Sequence, residues 1–518
     1  MQEIKRQRTI RAFQTFLESP LAALLQLSSD RDLHSSVELF HTVAATVPAY
    51  QAFLSEHHIS AASIQTPEDF QTLPLLTKDN YLRRYPLDQL CRNGQLETCD
   101  MIAVSSGSTG KPTFWPRFIS DELEIATRFE QIFYDSFQAD NLRTLAIVCF
   151  TLGTWVGGMY TANCCRHLAS KGYPITVITP GNNPTEIFRV VRELGSAFEQ
   201  VVLLGYPPFL KDIIDQGITQ EINWKRYNIK LVFAGEVFSE EWRNLVGERV
   251  GSARSYYDSA SLYGTADAGV LGNETPLSIC IRQFFSKNPE AARNLFGESR
   301  LPTLVQYDPR SRFFEVQKES DSEVGTLLFS GDNGVPLIRY HIADNGGIIS
   351  YNEMLEYLKQ YQFDPILELQ KQGDTADATL RDRGIHQLPF VYIFGRSYFT
   401  ISYYGANIYP ENVTVGLEQP EIQNLVTGKF VMEIAETTDQ NRYLLITVEL
   451  APNIQTDENK KQAIATSILT QLRRLNSEFA NYVPVEKQMP EISLKLTGDS
   501  EYFPVGVKHR YTRQPQKY

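Results

Sequence analysis

A chain of 518 residues exceeds the size at which one hydrophobic core usually stops growing, so two or more domains are expected. Its apolar fraction of 42% and charged fraction of 21% are those of an ordinary globular protein. The net charge of −12 argues against general binding of nucleic acid or of an anionic membrane, and it makes a local basic loop conspicuous.

Lys5, Arg6, Arg8 and Arg11 have no long apolar run behind them, so the N-terminus does not read as a secretory leader. The six cysteines show neither a disulfide framework nor metal-ligand spacing, which fits a reducing, cytoplasmic setting. Residues 1 to about 95 read as helices and loops. Within them Val47-Pro48-Ala49-Tyr50 leads into an apolar stretch, and Leu73-Pro74-Leu75-Leu76-Thr77-Lys78 is a short strand or turn before a polar helix start.

The apolar run Met101-Ile102-Ala103-Val104 then opens into Ser105-Ser106-Gly107-Ser108-Thr109-Gly110-Lys111-Pro112-Thr113. Glycines allow close backbone approach to phosphate, the hydroxyls can replace water around phosphate oxygens, and Lys111 adds a compact positive charge. A Walker A loop would continue directly into a helix. Pro112 instead favours an extended continuation through Thr113-Phe114-Trp115-Pro116. A Ser/Gly surface turn is the plain alternative, and a polyphosphate loop of non-Walker type is the preferred reading.

Ser120 is a plausible N-cap, followed by Asp121, Glu122 and Glu124 and by a core-facing stripe of Ile125, Phe129, Ile132, Phe133 and Phe137. The uncharged run from Thr144 to Cys165 reads as a buried strand, a glycine turn and a helix start rather than a membrane span. Strands at Leu145–Phe150, Ile175–Ile178, Val201–Leu204 and Leu231–Phe233 alternate with helices near Met159–Ser170, Pro184–Leu194 and Pro207–Ile214. That alternation predicts an α/β domain with a largely parallel sheet, whose ligands sit beyond the carboxyl ends of the strands.

Two strand ends place a glycine beside an acid: Ala234-Gly235-Glu236 and Tyr263-Gly264-Thr265-Ala266-Asp267. Each alone would pass for a solvated turn. Gly325–Ser330 reads as a strand, and Pro336–Asp344 as another that closes on an acid. Residues from Asn352 to about Gln372 look helical, and Val391–Phe394 ends in Gly395-Arg396. Two more strands, an amphipathic helix from Glu458 to Phe479 and a strand at Ile492–Leu496 make a compact α+β unit.

In this order the motifs resemble those of the adenylate-forming enzymes, and within them the phenylacetate–CoA ligase-like branch. The resemblance implies a large N-terminal α/β domain (1–394) and a smaller, mobile α+β domain (395–518). It implies ATP-dependent activation of a small carboxylic acid to an acyl-adenylate, with Mg²⁺, and transfer to a thiol, most often coenzyme A. Ser105, Ser106, Gly107, Ser108, Thr109, Gly110 and Lys111 would handle the β- and γ-phosphates. Gly235, Glu236, Tyr263, Gly264 and Thr265 would lie on the adenine side, Asp344 would hold the ribose, and Arg396 would contact the nucleotide near the hinge. Asp267 stands where the family has a Mg²⁺-associated glutamate, and Lys508 where it has a C-terminal adenylation lysine.

The chain departs from that pattern at Ala266, which replaces a hydroxyl residue, at Asp267, one methylene shorter than glutamate, and at Tyr398 and Phe399, which replace an acidic pair. About fifty residues between Asp344 and Gly395 form an insertion. Loading of a carrier protein or an amine, or a catalytically weak nucleotide-binding homologue, are the other readings. The residues around Phe150–Tyr160 and Gly205-Tyr206-Pro207-Pro208 could line an acid pocket or simply be core.

Overall fold

The computed structural model describes all residues except 1, 27–33, 106–112, 155, 236, 253–254, 299, 319–323, 377–382, 397–400, 404–405, 437–441, 477–478, 481–482, 484, 505–508, 510 and 513–518. Met101–Ser105 (β1) and Thr113–Arg117 (β2) pair antiparallel, with Met101 opposite Arg117 and Ser105 opposite Thr113. The extended course expected after Pro112 is therefore one arm of a hairpin whose other arm is the apolar run.

The alternating segment forms a parallel sheet. Thr144–Val148 (β3), Ile175–Ile178 (β4), Gln200–Gly205 (β5), Ile229–Ala234 (β6) and Ser259–Thr265 (β7) lie in the order β4-β3-β5-β6-β7. Side chains alternate between the two faces of a strand, so an unbroken apolar run serves two cores at once. Ala146, Val148, Val202, Leu204 and Val232 pack under helices Ile119–Asp135 and Val156–Ser170. Leu145, Ile147, Val201, Leu203, Leu231 and Phe233 pack under Pro184–Leu194, Pro207–Thr219 and Glu240–Val250.

The same sheet continues antiparallel. Gly269–Asn273 (β8), Thr303–Gln306 (β9), Phe313–Gln317 (β10), Gly325–Gly331 (β11), Leu337–Ile349 (β12) and Phe390–Arg396 (β13) complete the order β10-β11-β12-β13-β9-β8-β7-β6-β5-β3-β4. Phe40, Phe53, Phe70, Leu76 and Trp115 cover this half, packing against Leu327, Phe329, Tyr340 and Ile393. The architecture is the expected α/β one.

Ile401–Tyr403 (β14) and Ala406–Ile408 (β15) form a small hairpin. Val426–Glu436 (β16), Arg442–Leu450 (β17) and Glu491–Lys495 (β18) form a separate sheet with helices Pro410–Leu417 and Glu458–Leu475. β17 and β18 run parallel because the Glu458–Leu475 helix carries the chain back between them. The core of this unit, including Tyr403, Phe430, Ile446, Ile468 and Phe479, is drawn wholly from residues after 400.

Two local expectations change. The helix expected to be capped by Ser120 starts at Ile119. Asp121 Oδ2 accepts from the Phe118 N–H and Asp100 Oδ2 from the Ile119 N–H, so carboxylates do the work assigned to Ser120. The single helix expected over Asn352–Gln372 is two, Tyr351–Lys359 and Pro365–Ala376. They are separated at Gln362, whose φ of 57° cannot continue a right-handed helix, with Pro365 opening the second. The run from Thr144 to Cys165 follows expectation: the Thr144–Val148 strand gives way to the Val156–Ser170 helix, and among the described residues no helix is long and apolar enough to cross a membrane.

Candidate functional site

The carboxyl ends of β3, β5, β6 and β7 open on one edge of the sheet, beside the point where it turns from parallel to antiparallel. In open α/β sheets ligands bind outside the carboxyl ends of the strands. Tyr263, near the end of β7, donates its hydroxyl to Asp344 Oδ2 at 2.8 Å. Asp344 is buried in β12. It pairs with Arg396 across the ladder, and Asn345 pairs with Gly395. The insertion between Asp344 and Gly395 thus leaves through two helices and returns as β13, so that its two ends meet. Gly395 has φ 92° with no atom within 4 Å of an added Cβ, so backbone conformation rather than crowding calls for glycine there.

Two non-glycine residues of β12, Arg339 (φ 47°) and Ala343 (φ 66°), take left-handed conformations around Tyr340 and just before Asp344. Such residues persist only where their surroundings over-determine them. For Arg339 those surroundings are visible. Its guanidinium pairs with Glu315 at 3.1 Å and donates to the carbonyls of Gln71 and Leu73. The Leu76 N–H donates to Arg339 O, and the His341 N–H to Leu76 O.

This stitching delivers Lys78. A Thr77–Asn80 capping box opens the turn that starts at Lys78. Lys78 Nζ stands 3.3 Å from Asp267 Oδ2, and the Tyr340 hydroxyl donates to the same oxygen at 2.6 Å. Asp267 is 3% exposed, whereas the Lys78 side chain keeps 29% of its surface open. The carboxylate is held from inside by Tyr340 and faces the crevice through Lys78. Sequence reasoning missed Tyr340 and Lys78. The signals were a tyrosine four residues before Asp344 and a lysine closing an otherwise apolar motif.

The β1–β2 hairpin docks on the same place. Arg117, 2% exposed, donates to the Ala266 carbonyl at 2.5 Å, and the Val104 N–H donates to Thr154 O at 2.8 Å. Ser105 therefore ends a strand anchored beside Asp267. Ser106, Gly107, Ser108, Thr109, Gly110 and Lys111, which follow it, lie outside the described residues, as do Glu236 and Lys508. Arg396 is placed by its backbone in β13.

Gly264 is fixed by packing, because a Cβ there would stand 2.6 Å from Gly269 O. Thr265 Oγ1 accepts from the Ala268 N–H and so closes its own turn. Gly235, at φ 86°, would put a Cβ 2.9 Å from the Tyr206 ring. Tyr206 in turn meets Phe150 edge-on at 5.0 Å, and an added Cβ at Gly157 would touch both. The two stretches suggested for an acid pocket therefore meet beside Gly235.

Lys508 is flanked by residues tied to β16. His509 Nε2 donates to Phe430 O at 2.6 Å, the Met432 N–H donates to Tyr511 O at 2.7 Å, and Thr512 bridges Met432 in parallel. Among the described residues no group of three or more His, Cys, Asp or Glu could hold a metal ion. Asp267 offers one carboxylate. That suits Mg²⁺, which is commonly held through one or two carboxylates and the phosphates it accompanies.

No protein-family model and no curated protein matches the chain. Solved structures do. One is 2-hydroxyisobutyryl-CoA ligase in the postadenylation state with R3-HIB-AMP: TM-score 0.67, 14% identity, covering 93% of this chain and 89% of that one. The chain has the adenylate-forming ligase fold. The same ligase with 2-HIB-AMP in the postadenylation state gives a TM-score of 0.65 at 14% identity, covering 93% and 89%. With 2-HIB-AMP and CoA in the thioesterification state it gives 0.52 at 14% identity, covering 96% and 90%. In this fold the Tyr263–Asp344 pair and the Asp267 cluster occupy the edge of the large sheet, while the tail after residue 508 is bonded to β16 of the small sheet.

Proposed function

We propose that this chain is an ATP-dependent, AMP-forming carboxylate ligase of the phenylacetate–CoA ligase-like kind, divided into functional units at about residue 395. The observation that carries the reading is the meeting of Tyr263, Asp267, Asp344 and the Arg396 backbone at one sheet edge, from motifs far apart in sequence. The hydroxyls of a ribose would be held by Asp344, with the Tyr263 ring beside adenine and the Gly235 turn against its edge. The Ser105–Lys111 loop, on a hairpin anchored through Arg117, would wrap the leaving phosphates.

A carboxylic acid is already ionised near neutral pH. The acid needs no general base, and the first step is its oxygen forming a bond to the α-phosphorus as the bond to pyrophosphate breaks. Catalysis then rests on positioning and on charge stabilisation, which Lys111, Lys508 and Lys78 can supply from three elements. Mg²⁺ accompanying the phosphates near Asp267 would neutralise charge on the leaving pyrophosphate. In the second step a thiol, most often that of coenzyme A, would displace AMP from the acyl carbon.

Pyrophosphate release over a panel of carboxylic acids, with Mg²⁺ and with or without coenzyme A, tests the reading. Acid-dependent release is expected, lowered severely by Lys508→Ala. Well-folded protein that releases none with any acid would sink it. A stable acyl-adenylate that turns over only with a carrier protein or an amine would reassign the acceptor.

A further inference from the structure

The three-stranded unit sits on the helices of the large sheet along a seam lined with carboxyl groups. Lys429 of β16 places Nζ 2.5 Å from Asp212 Oδ2, on helix Pro207–Thr219, and 3.2 Å from Glu449 Oε2 in its own unit. Nearby, Glu418 ends helix Pro410–Leu417 and accepts a hydrogen bond from the Ser239 hydroxyl, whose residue caps helix Glu240–Val250. The space around Glu418 is walled by Pro207, Trp242, Leu417 and Val426.

Asp212 crosses the seam to a cation, but Glu418 does not. Glu418 is half-buried as a residue, but its Oε1 is buried and has no hydrogen-bond partner among the described residues. The cations on neighbouring elements are engaged elsewhere: Lys211 with Asp215 at 2.9 Å, and Arg282 with Glu240 and the carbonyls of Pro302 and Phe238. Glu241, on the helix that Ser239 caps, adds a further negative charge. A neutral carboxyl with one unmade hydrogen bond is far cheaper to bury than an unpaired charge.

We propose that the seam is a proton-operated latch: Glu418 enters it as the neutral acid, and loss of that proton unseats the small unit from the large sheet. The inference stands on the seam and needs no substrate, so it is independent of the adenylation reading.

The linkage has a definite sign. Burial pushes Glu418 up to about 8 and Glu241 adds to the rise, while the Ser239 hydroxyl, Lys211 and Arg282 oppose it. Freed into water, a glutamate returns to about 4.3. Between those values the seated form holds the extra proton, so seating weakens as pH rises, by up to about tenfold in population per pH unit. Asp212, raised by burial to about 6 against the pull of Lys429, acts in the same direction over a lower range.

The test is resonance energy transfer on the full chain between dyes on Ile218→Cys and Thr470→Cys, one exposed site on each unit, in a Cys99→Ser background. The expected result is a seated value at pH 5.5 that falls progressively toward pH 8.5. Glu418→Gln, neutral at every pH and close in shape, should hold the seated value well above pH 7. Ser239→Ala, which removes a donor to the carboxylate, should extend the fall to higher pH. Transfer in the parent that does not change between pH 5.5 and 8.5 overturns the latch. So does a Glu418→Gln profile that follows the parent's.

Discussion

The Tyr263 hydroxyl and Asp344 Oδ2 are joined at 2.8 Å across eighty-one residues of sequence, one at the end of a parallel strand and the other inside an antiparallel one. The bond fixes a buried carboxylate beside an aromatic ring, an arrangement suited to a nucleoside. Asp344→Asn keeps the shape and removes the charge. It should weaken ATP binding by about ten- to a hundredfold, the worth of roughly 1.5–3 kcal/mol of charge-assisted hydrogen bonding. Tyr263→Phe keeps the ring and should cost only about three- to tenfold, as for an ordinary hydrogen bond. Calorimetric titration with ATP measures both. Unchanged affinity in Asp344→Asn would remove the ribose assignment.

At Asp267 the question is stability as much as chemistry. Tyr340→Phe deletes a donor to a carboxylate that is 3% exposed and should destabilise by about 1.5–3 kcal/mol. Lys78→Met leaves the buried charge without its cation. Breaking a fully buried pair costs roughly 3–5 kcal/mol, and the partial exposure of Lys78 places it below that range. Adding Asp267→Asn to Lys78→Met should recover most of the stability and none of the activity. Urea midpoints decide this, and a Lys78→Met protein as stable as the parent would mean that the pair does not matter to folding.

The acid pocket makes a prediction about size. Tyr206 packs over Gly235 and edge-on to Phe150, so it closes the wall between β3 and β6. Tyr206→Ala should shift relative kcat/KM toward bulkier acids by about tenfold or more, because each methylene admitted is worth about 1–3 kcal/mol. Gly235→Ala should cost both stability and turnover, since it meets the ring at 2.9 Å and sits at φ 86°. An acid preference untouched by Tyr206→Ala would return these residues to the core.

Much of this was legible in the sequence, for identifiable reasons. Parallel strands buried on both faces read as apolar runs, so the ends of β3 to β6 were placed within two residues and those of the helices between them within five. Gly235, Tyr263, Asp267 and Asp344 could be singled out because each interrupts or ends such a run. What sequence could not supply was pairing over distance. Nothing local says that the chain leaving Asp344 returns to place Gly395 opposite Asn345, or that a left-handed Arg339 stitches residues 71–76 to β12 and brings Lys78 to Asp267. Ser120 failed as a cap because carboxylates from Asp100 and Asp121 reached the helix end instead.

His509 carries the last prediction. Its ring is packed against Phe503 and Tyr511 and donates to Phe430 O, while burial pulls its pKa down to about 4, the Phe430 carbonyl opposing and Lys429 adding to the fall. The docked tail therefore holds a neutral imidazole, and undocking returns it to about 6.5. The docked state binds fewer protons, so its stability is fully present above pH 6.5 and is lost as pH falls toward 4, by up to about 3 kcal/mol. The Met432 amide, bonded to Tyr511 O, reports the docking directly by hydrogen exchange. After correction for the intrinsic exchange rate, its protection should fall between pH 6.5 and 4. His509→Gln, which can still donate but does not titrate, should flatten that slope. Because Lys508 precedes His509, pyrophosphate release should fade over the same range, and a His509→Gln enzyme with the parent's acid limb would break the connection between tail docking and adenylation.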